Sequence, residues 1–175
     1  MKPVPFTPFH LGPALLLGMA LLTVLDLPAL LVASVAPDVE PFAVLNLHVV
    51  GGPAHGFLHT YLGSSFLALL VASVLYSLRG ILDRVVASFR ISQRTSFKKI
   101  LLASFVGVYS HVALDSFLYE EMVPFYPFGG NPFLGALSAF DSYRVIYGFC
   151  SVAFLLGVVL YLIMIVRKAK ACFRA

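Results

Sequence analysis

The sequence predicts an all-α, polytopic membrane helical bundle with about three full spans, a short N-terminal helical hairpin and one amphipathic interfacial helix. Three observations predict it. Hydrophobic residues fill 60% of the 175 positions and charged residues 11%, with a mean hydropathy of +0.95; a soluble domain carries about a quarter charged residues. Apolar runs close to the roughly 20 residues that cross a bilayer recur at Phe57–Leu78, Ile100–Tyr119 and Tyr143–Val166. Lysine and arginine gather between and after these runs. The chain therefore reads as one membrane-embedded domain, residues 1–175.

Each element has a local cause. Met1–Phe9 is punctuated by Pro3, Pro5 and Pro8 and reads as extended, with no convincing signal-peptide cleavage site. Leu11–Leu25 is helical in composition. Asp26-Leu27-Pro28 interrupts it: Asp26 is a good N-cap and Pro28 suits a first helical turn, so a second helix runs to about Ala36. Neither piece spans the hydrocarbon alone, and either a kinked span or a hairpin fits. Pro37-Asp38-Val39-Glu40-Pro41 ends this segment, and Phe42–Pro53, with His48, reads as a loop. The next helix is expected from near His55 to Arg79. In Gly80–Phe89, Ile81, Leu82, Val85, Val86 and Phe89 form a helical stripe with Asp83, Arg84 and Arg90 opposite, the pattern of a helix lying on the membrane surface. Ser92–Ser96 is a turn. After the run ending at Tyr119 comes an aromatic loop to Gly130, then Phe133–Phe140 as a short interfacial helical turn. Tyr143–Val166 is the last span, anchored by Arg167, Lys168 and Lys170.

The basic loop Arg79–Lys99 and the basic tail place one face of the bundle in the cytoplasm of a plasma-membrane protein. Asp38, Glu40, His55, His59, His111, Asp115, Glu120, Glu121 and Asp141 then fall on the opposite face. The net charge of +4 is thus accounted for by topology and does not point to nucleic acid. Cys150 lies in an apolar run and Cys172 in the tail, which argues against a disulfide or a cysteine-based zinc site.

Ionisable residues in membrane segments are costly and usually functional. One interfacial histidine is most simply a headgroup contact. Here His55 and His59 share i,i+4 spacing, and so do His111 and Asp115. On helices such pairs face one way and can chelate one ion. Asp115, about a turn inside its helix, needs a partner for its charge. His48 reads as a loop residue rather than a ligand.

Thr7-Pro8-Phe9-His10, Pro37-Asp38-x-Glu40, His55-x-x-x-His59-Thr60 and His111-x-x-Leu114-Asp115, followed by a Pro-Phe loop, resemble the YdjM-like family of membrane-bound metal-dependent hydrolases, itself distantly similar to zinc-dependent phospholipases of the C type. The resemblance runs from His10 to about Pro127. It implies His10, Asp38, His55, His59, His111 and Asp115 as ligands, and so a hairpin that brings His10 to the other histidines. The chain carries Asp38-x-Glu40 where the family commonly shows Asp-x-Asp.

Six mixed ligands exceed one catalytic zinc, which favours two ions or one ion plus an acid–base residue. Zinc suits the imidazoles, and manganese or iron the carboxylates. The expected function is metal-assisted hydrolysis of a phosphoester, such as one in a membrane lipid, with Glu40 or Glu120 as general base. The alternatives are a metal-ion or proton-binding transporter subunit and a structural metal site. Oligomeric state is not legible.

Overall fold

Proline placement shapes the N-terminal third of the protein. The computed structural model describes residues 7–46 and 55–172, so His48 lies outside the described residues. A 3-10 turn, Thr7–His10, leads into α1, Leu11–Ala20. The chain reverses over residues 21–26, and α2 runs Leu27–Ala33. Asp26 caps α2 by accepting from the Ala29 N–H at 3.1 Å, with Pro28 in the first turn, so the expected hairpin forms for the expected reason.

Pro37 and Pro41 do not end this segment as the sequence suggested. Pro37 opens a 3-10 turn, Ala36–Asp38, and Pro41 lies in the first turn of α3, Val39–Asn46. A first-turn residue has no intrahelical use for its N–H, so both prolines restart helical backbone rather than stop it. Leu27–Val44 therefore qualifies by length and composition as a span, and Phe42–Asn46 is helix, not loop.

The next helix also departs from expectation. Phe57–His59 is a 3-10 turn, and α4 spans Tyr61–Ser77. Thr60 is extended, at φ −105° and ψ 153°, and its hydroxyl oxygen accepts from the Gly63 N–H at 2.9 Å. That cap starts the helix after His59, so His55 and His59 do not share a helix face. α5, Arg79–Ser88, leaves the axis of α4 at 78° and buries none of its residues, as suits a helix at the bundle surface. α6 is Phe97–Ser116, with Ser96 as its cap, and α7 is Ser142–Cys172, carried well into the basic tail. Residues 133–140 form successive tight turns in place of the expected helical turn. Among the described residues, three helical segments, Leu27–Val44, Phe97–Ser116 and Ser142–Ala171, are long and apolar enough to span a membrane, and α4 with α5 forms a bent fourth candidate. The described residues contain no strand.

Small residues bring the helices together, as is usual where lipid removes the hydrophobic drive. α1 packs on α7, α2 on α6, and α4 on α6. A Cβ on Gly12 would lie 2.1 Å from the Cys150 carbonyl oxygen, so the α1–α7 crossing needs glycine there. In the α2–α6 seam, Gly107 lies against Ala33 and the backbone of Leu30 and Ser34. The core between the bundle ends is Leu30, Ala68, Val71, Ala72, Ile100 and Val108.

Polar residues divide between the two ends. At one, Gln93 closes the hairpin turn: its side-chain NH2 donates to the carbonyls of Leu22 and Leu25, each at 2.8 Å, and its carbonyl accepts from the Leu27 N–H. The Lys168 ammonium reaches the Arg90 carbonyl at 2.7 Å, so the basic loop and the basic tail share that end. His10, Asp38, His59, His111 and Asp115 lie together at the other.

Candidate metal centre

His111 and Asp115 stand one turn apart near the end of α6, fully buried. His111 Nδ1 lies 2.8 Å from the carbonyl oxygen of Ser34. Ser34 is the C-cap of α2, where a helix has carbonyls to spare. A carbonyl only accepts, so His111 Nδ1 carries the hydrogen and Nε2 holds a lone pair in the neutral ring. His59 is fixed in the same way. Its Nδ1 donates to Glu40 Oε2 at 2.9 Å, leaving Nε2 free to accept. Glu40 is itself clamped by the backbone N–H groups of Gly56, at 3.0 Å, and Leu58, at 3.1 Å.

The two Nε2 atoms then meet at 3.3 Å. Asp115 Oδ2 lies 3.2 Å from His111 Nε2 and 4.0 Å from His59 Nε2. Asp38 Oδ1 is 3.6 Å from His111 Nε2. One atom from each of Asp38, His59, His111 and Asp115 falls within 4.8 Å of the others. Both Asp115 oxygens and Asp38 Oδ2 are buried without a hydrogen-bond donor. Four electron-pair donors thus converge on one point, two of them carboxylates in a buried setting. A proton on either ring would relieve one contact; a divalent cation relieves all four. Nitrogens bound to one tetrahedral zinc at about 2.0–2.1 Å lie roughly 3.4 Å apart, so the spacing of the imidazoles fits. Each ring also has the outer hydrogen bond typical of a metal-bound histidine. Burial, aided by the rings of His111 and His55, holds the His59 pKa below the ordinary histidine range against the pull of Glu40 and Asp115, and so favours the neutral ligand form.

The other expected ligands sit beside this group. His10 Nε2 lies 3.2 Å from Asp115 Oδ1, and its ring stacks on His111 with centroids 3.9 Å apart. His55 stacks on Tyr119 at 3.8 Å and meets His59 edge-on at 4.8 Å, while its Nδ1 faces Glu121 Oε1 at 2.8 Å. Of the two expected general bases, Glu40 is engaged in holding His59 and the loop before α4, and Glu120 is exposed. Sequence reasoning missed Ser34, whose contribution is a backbone carbonyl and leaves no mark in residue type. It also missed the pairing of Glu121 with His55. A cavity of ≈ 320 Å³ opens beside His55 and Glu121, walled by Phe57, Val123 and Tyr126.

The chain matches the YdjM inner membrane protein family over residues 5–171 and belongs to that family. No curated protein and no solved structure matches it. The family description and the apolar helices together identify an integral membrane protein with a His/Asp cluster suited to a metal ion. The distant likeness to zinc-dependent phospholipases finds no support among these comparisons.

Proposed function

We propose that this member of the YdjM inner membrane protein family is a metal-dependent hydrolase of phosphoesters, a membrane lipid among them, working at the non-cytoplasmic face. The observation that carries the proposal is the pair of fixed imidazoles whose Nε2 lone pairs face each other at 3.3 Å beside the Asp115 carboxylate. Asp38, His59, His111 and Asp115 would hold the ion. A divalent ion held there, such as zinc, manganese or iron, would supply an acidified water and polarise a phosphoryl oxygen.

The chain's own residues set the rest. Glu40 and the Ser34 carbonyl orient the two imidazoles. His55, itself buried and turned by Glu121, lines the cavity beside the cluster. The exposed rings of Phe57 and Tyr126 flank that cavity, where the body of a lipid would lie against apolar surface. The transport alternative loses support because, among the described residues, the core between the two ends is a cluster of apolar side chains, and Asp26, at the far end, is engaged with Ala29 and with Thr95 at 2.8 Å.

The test is the purified chain, chelated and reloaded with zinc or manganese, assayed for headgroup or phosphate release from phospholipids and from soluble phosphodiesters and monoesters. Release that needs the reloaded ion supports the proposal. A bound ion with no release from any of them would leave a structural metal site. Glu40→Gln is expected to weaken metal affinity about 10- to 100-fold while the bundle stays folded, because the amide cannot hold the His59 tautomer as a carboxylate does; metal titration followed by elemental analysis checks this.

Sidedness gives a separate expected outcome. With Cys150 and Cys172 replaced, Arg94→Cys should react with an impermeant thiol reagent only from the cytoplasmic side, and Ser138→Cys only from the opposite side. Labelling of both from one side would end the proposed topology.

A further inference from the structure

Tyr119 repeats the spacing of the metal centre once more. His111, Asp115 and Tyr119 follow one another at four-residue intervals, and the Tyr119 N–H donates to the Asp115 carbonyl at 3.1 Å. The helical turn therefore runs past the end of α6, and Tyr119 shares the face that carries His111 and Asp115. Side chains on a helix lean toward its N-terminus, which carries this ring toward Asp115. Its neighbours hold it there. The ring stacks on His55 with centroids 3.8 Å apart, and the Asn131 side-chain NH2 donates to the Ser116 and Tyr119 carbonyls at 2.8 and 3.3 Å. His55 also lines the cavity of ≈ 320 Å³, so the phenol is one side chain removed from it.

Tyr119 is 6% exposed, and its hydroxyl is buried with no hydrogen-bond partner among the described residues. A phenylalanine would stack on His55 as well and leave no donor unpaired. Burial, and after it the Asp115 carboxylate, push the Tyr119 pKa above the ordinary tyrosine range, so the hydroxyl keeps its proton. We propose that Tyr119 is a substrate-binding residue of this centre, its hydroxyl donating to a non-bridging oxygen of the phosphoryl group; the proposal rests on the phosphoester reading above. The four groups that converge on the centre all present acceptors there: two Nε2 lone pairs and two carboxylates. They suit a cation but repel any phosphoryl oxygen that the cation does not meet. A neutral O–H answers that oxygen without competing for the ion.

The experiment uses the full chain in detergent, chelated and reloaded with zinc, with inorganic phosphate as the probe. Phosphate affinity by calorimetry, zinc per chain by elemental analysis and the melting midpoint are read on each variant. Tyr119→Phe should hold zinc as wild type does and bind phosphate about 10- to 100-fold more weakly, the usual effect of losing a hydrogen bond to a charged group. Its midpoint without phosphate should not fall, since a hydroxyl kept for a ligand stabilises nothing in the ligand's absence. Tyr109→Phe, whose hydroxyl already pairs with Ser65 at 2.8 Å, should leave phosphate affinity unchanged. The hydrolytic deficit of Tyr119→Phe should be the same on a phospholipid and on a soluble aryl phosphate, which share the phosphoryl oxygens. A deficit confined to the lipid would overturn the proposal. So would loss of zinc, which would make Tyr119 a ligand, or a lower midpoint with unchanged phosphate affinity, which would make it structural. Zinc-dependent phosphate binding and hydrolysis in wild type, equal in Tyr119→Phe, would remove the role of Tyr119 alone. Wild type that neither binds phosphate nor cleaves either ester would remove the hydrolase reading and this role with it.

Discussion

Asp115→Asn should leave the purified protein with almost no bound metal after chelation and re-addition, where wild type recovers its full complement. The substitution keeps the shape and removes the charge. Asp115 is fully buried and faces His10 and His111 Nε2 atoms, each at 3.2 Å, off hydrogen-bond geometry. An ionised carboxylate in that position is stable only with a cation close by. Without its charge the two Nε2 lone pairs and Asp38 remain, a weaker donor set that one proton can satisfy. His111→Ala should give the same loss, and any metal-dependent hydrolysis should go with it. In His111→Ala, which leaves the Asp115 carboxylate buried without its cation, the loss should carry a stability cost of about 3–5 kcal/mol, the usual result of stranding a buried charge. Metal per chain by elemental analysis and the melting midpoint in detergent are the two readouts. Full metal content in Asp115→Asn would show that the ion, if any, sits elsewhere.

Much of this arrangement could be read from local sequence, and the exceptions share a cause. Asp26-Leu27-Pro28 announced the hairpin because an N-cap and a first-turn proline act within four residues. The His111–Asp115 pair was legible because it needs only helical spacing. Sequence alone puts His55 and His59 on a helix because Phe57 and Leu58 extend the apolar run backwards past Thr60. The capping residue was present in the sequence, but hydrophobicity outweighed it. Pro37 and Pro41 looked like terminators because a proline stop and a proline start differ only in which turn receives them. Glu40 reads in sequence as a candidate general base and could not be paired with His59: its partners Gly56, Leu58 and His59 follow it by 16 to 19 residues. The site is completed by backbone groups and tertiary neighbours, and neither has a period in sequence.

That dependence on backbone gives the largest effect expected from a residue that touches no ion. Gly107 lies one turn before His111 on α6. A Cβ there would stand 2.7 Å from the Ala33 Cβ, 2.9 Å from the Leu30 carbonyl oxygen and 2.9 Å from the Ser34 nitrogen. Two of those neighbours are backbone and cannot swing aside, so α2 and α6 must separate. Overpacking of this kind costs about 1–3 kcal/mol for the smallest addition. The Ser34 carbonyl moves with α2, and it is the group that fixes the His111 ring at 2.8 Å. Gly107→Ala should therefore lower the melting midpoint and weaken metal binding together, and Gly107→Leu should abolish both metal binding and the folded bundle. Gly148→Ala, where nothing lies within 4 Å of the added Cβ, should change neither. If Gly107→Ala loses stability but keeps full metal affinity, the Ser34 carbonyl is not what positions His111, and the orientation of that ring comes from Asp115 and the stacked His10 instead.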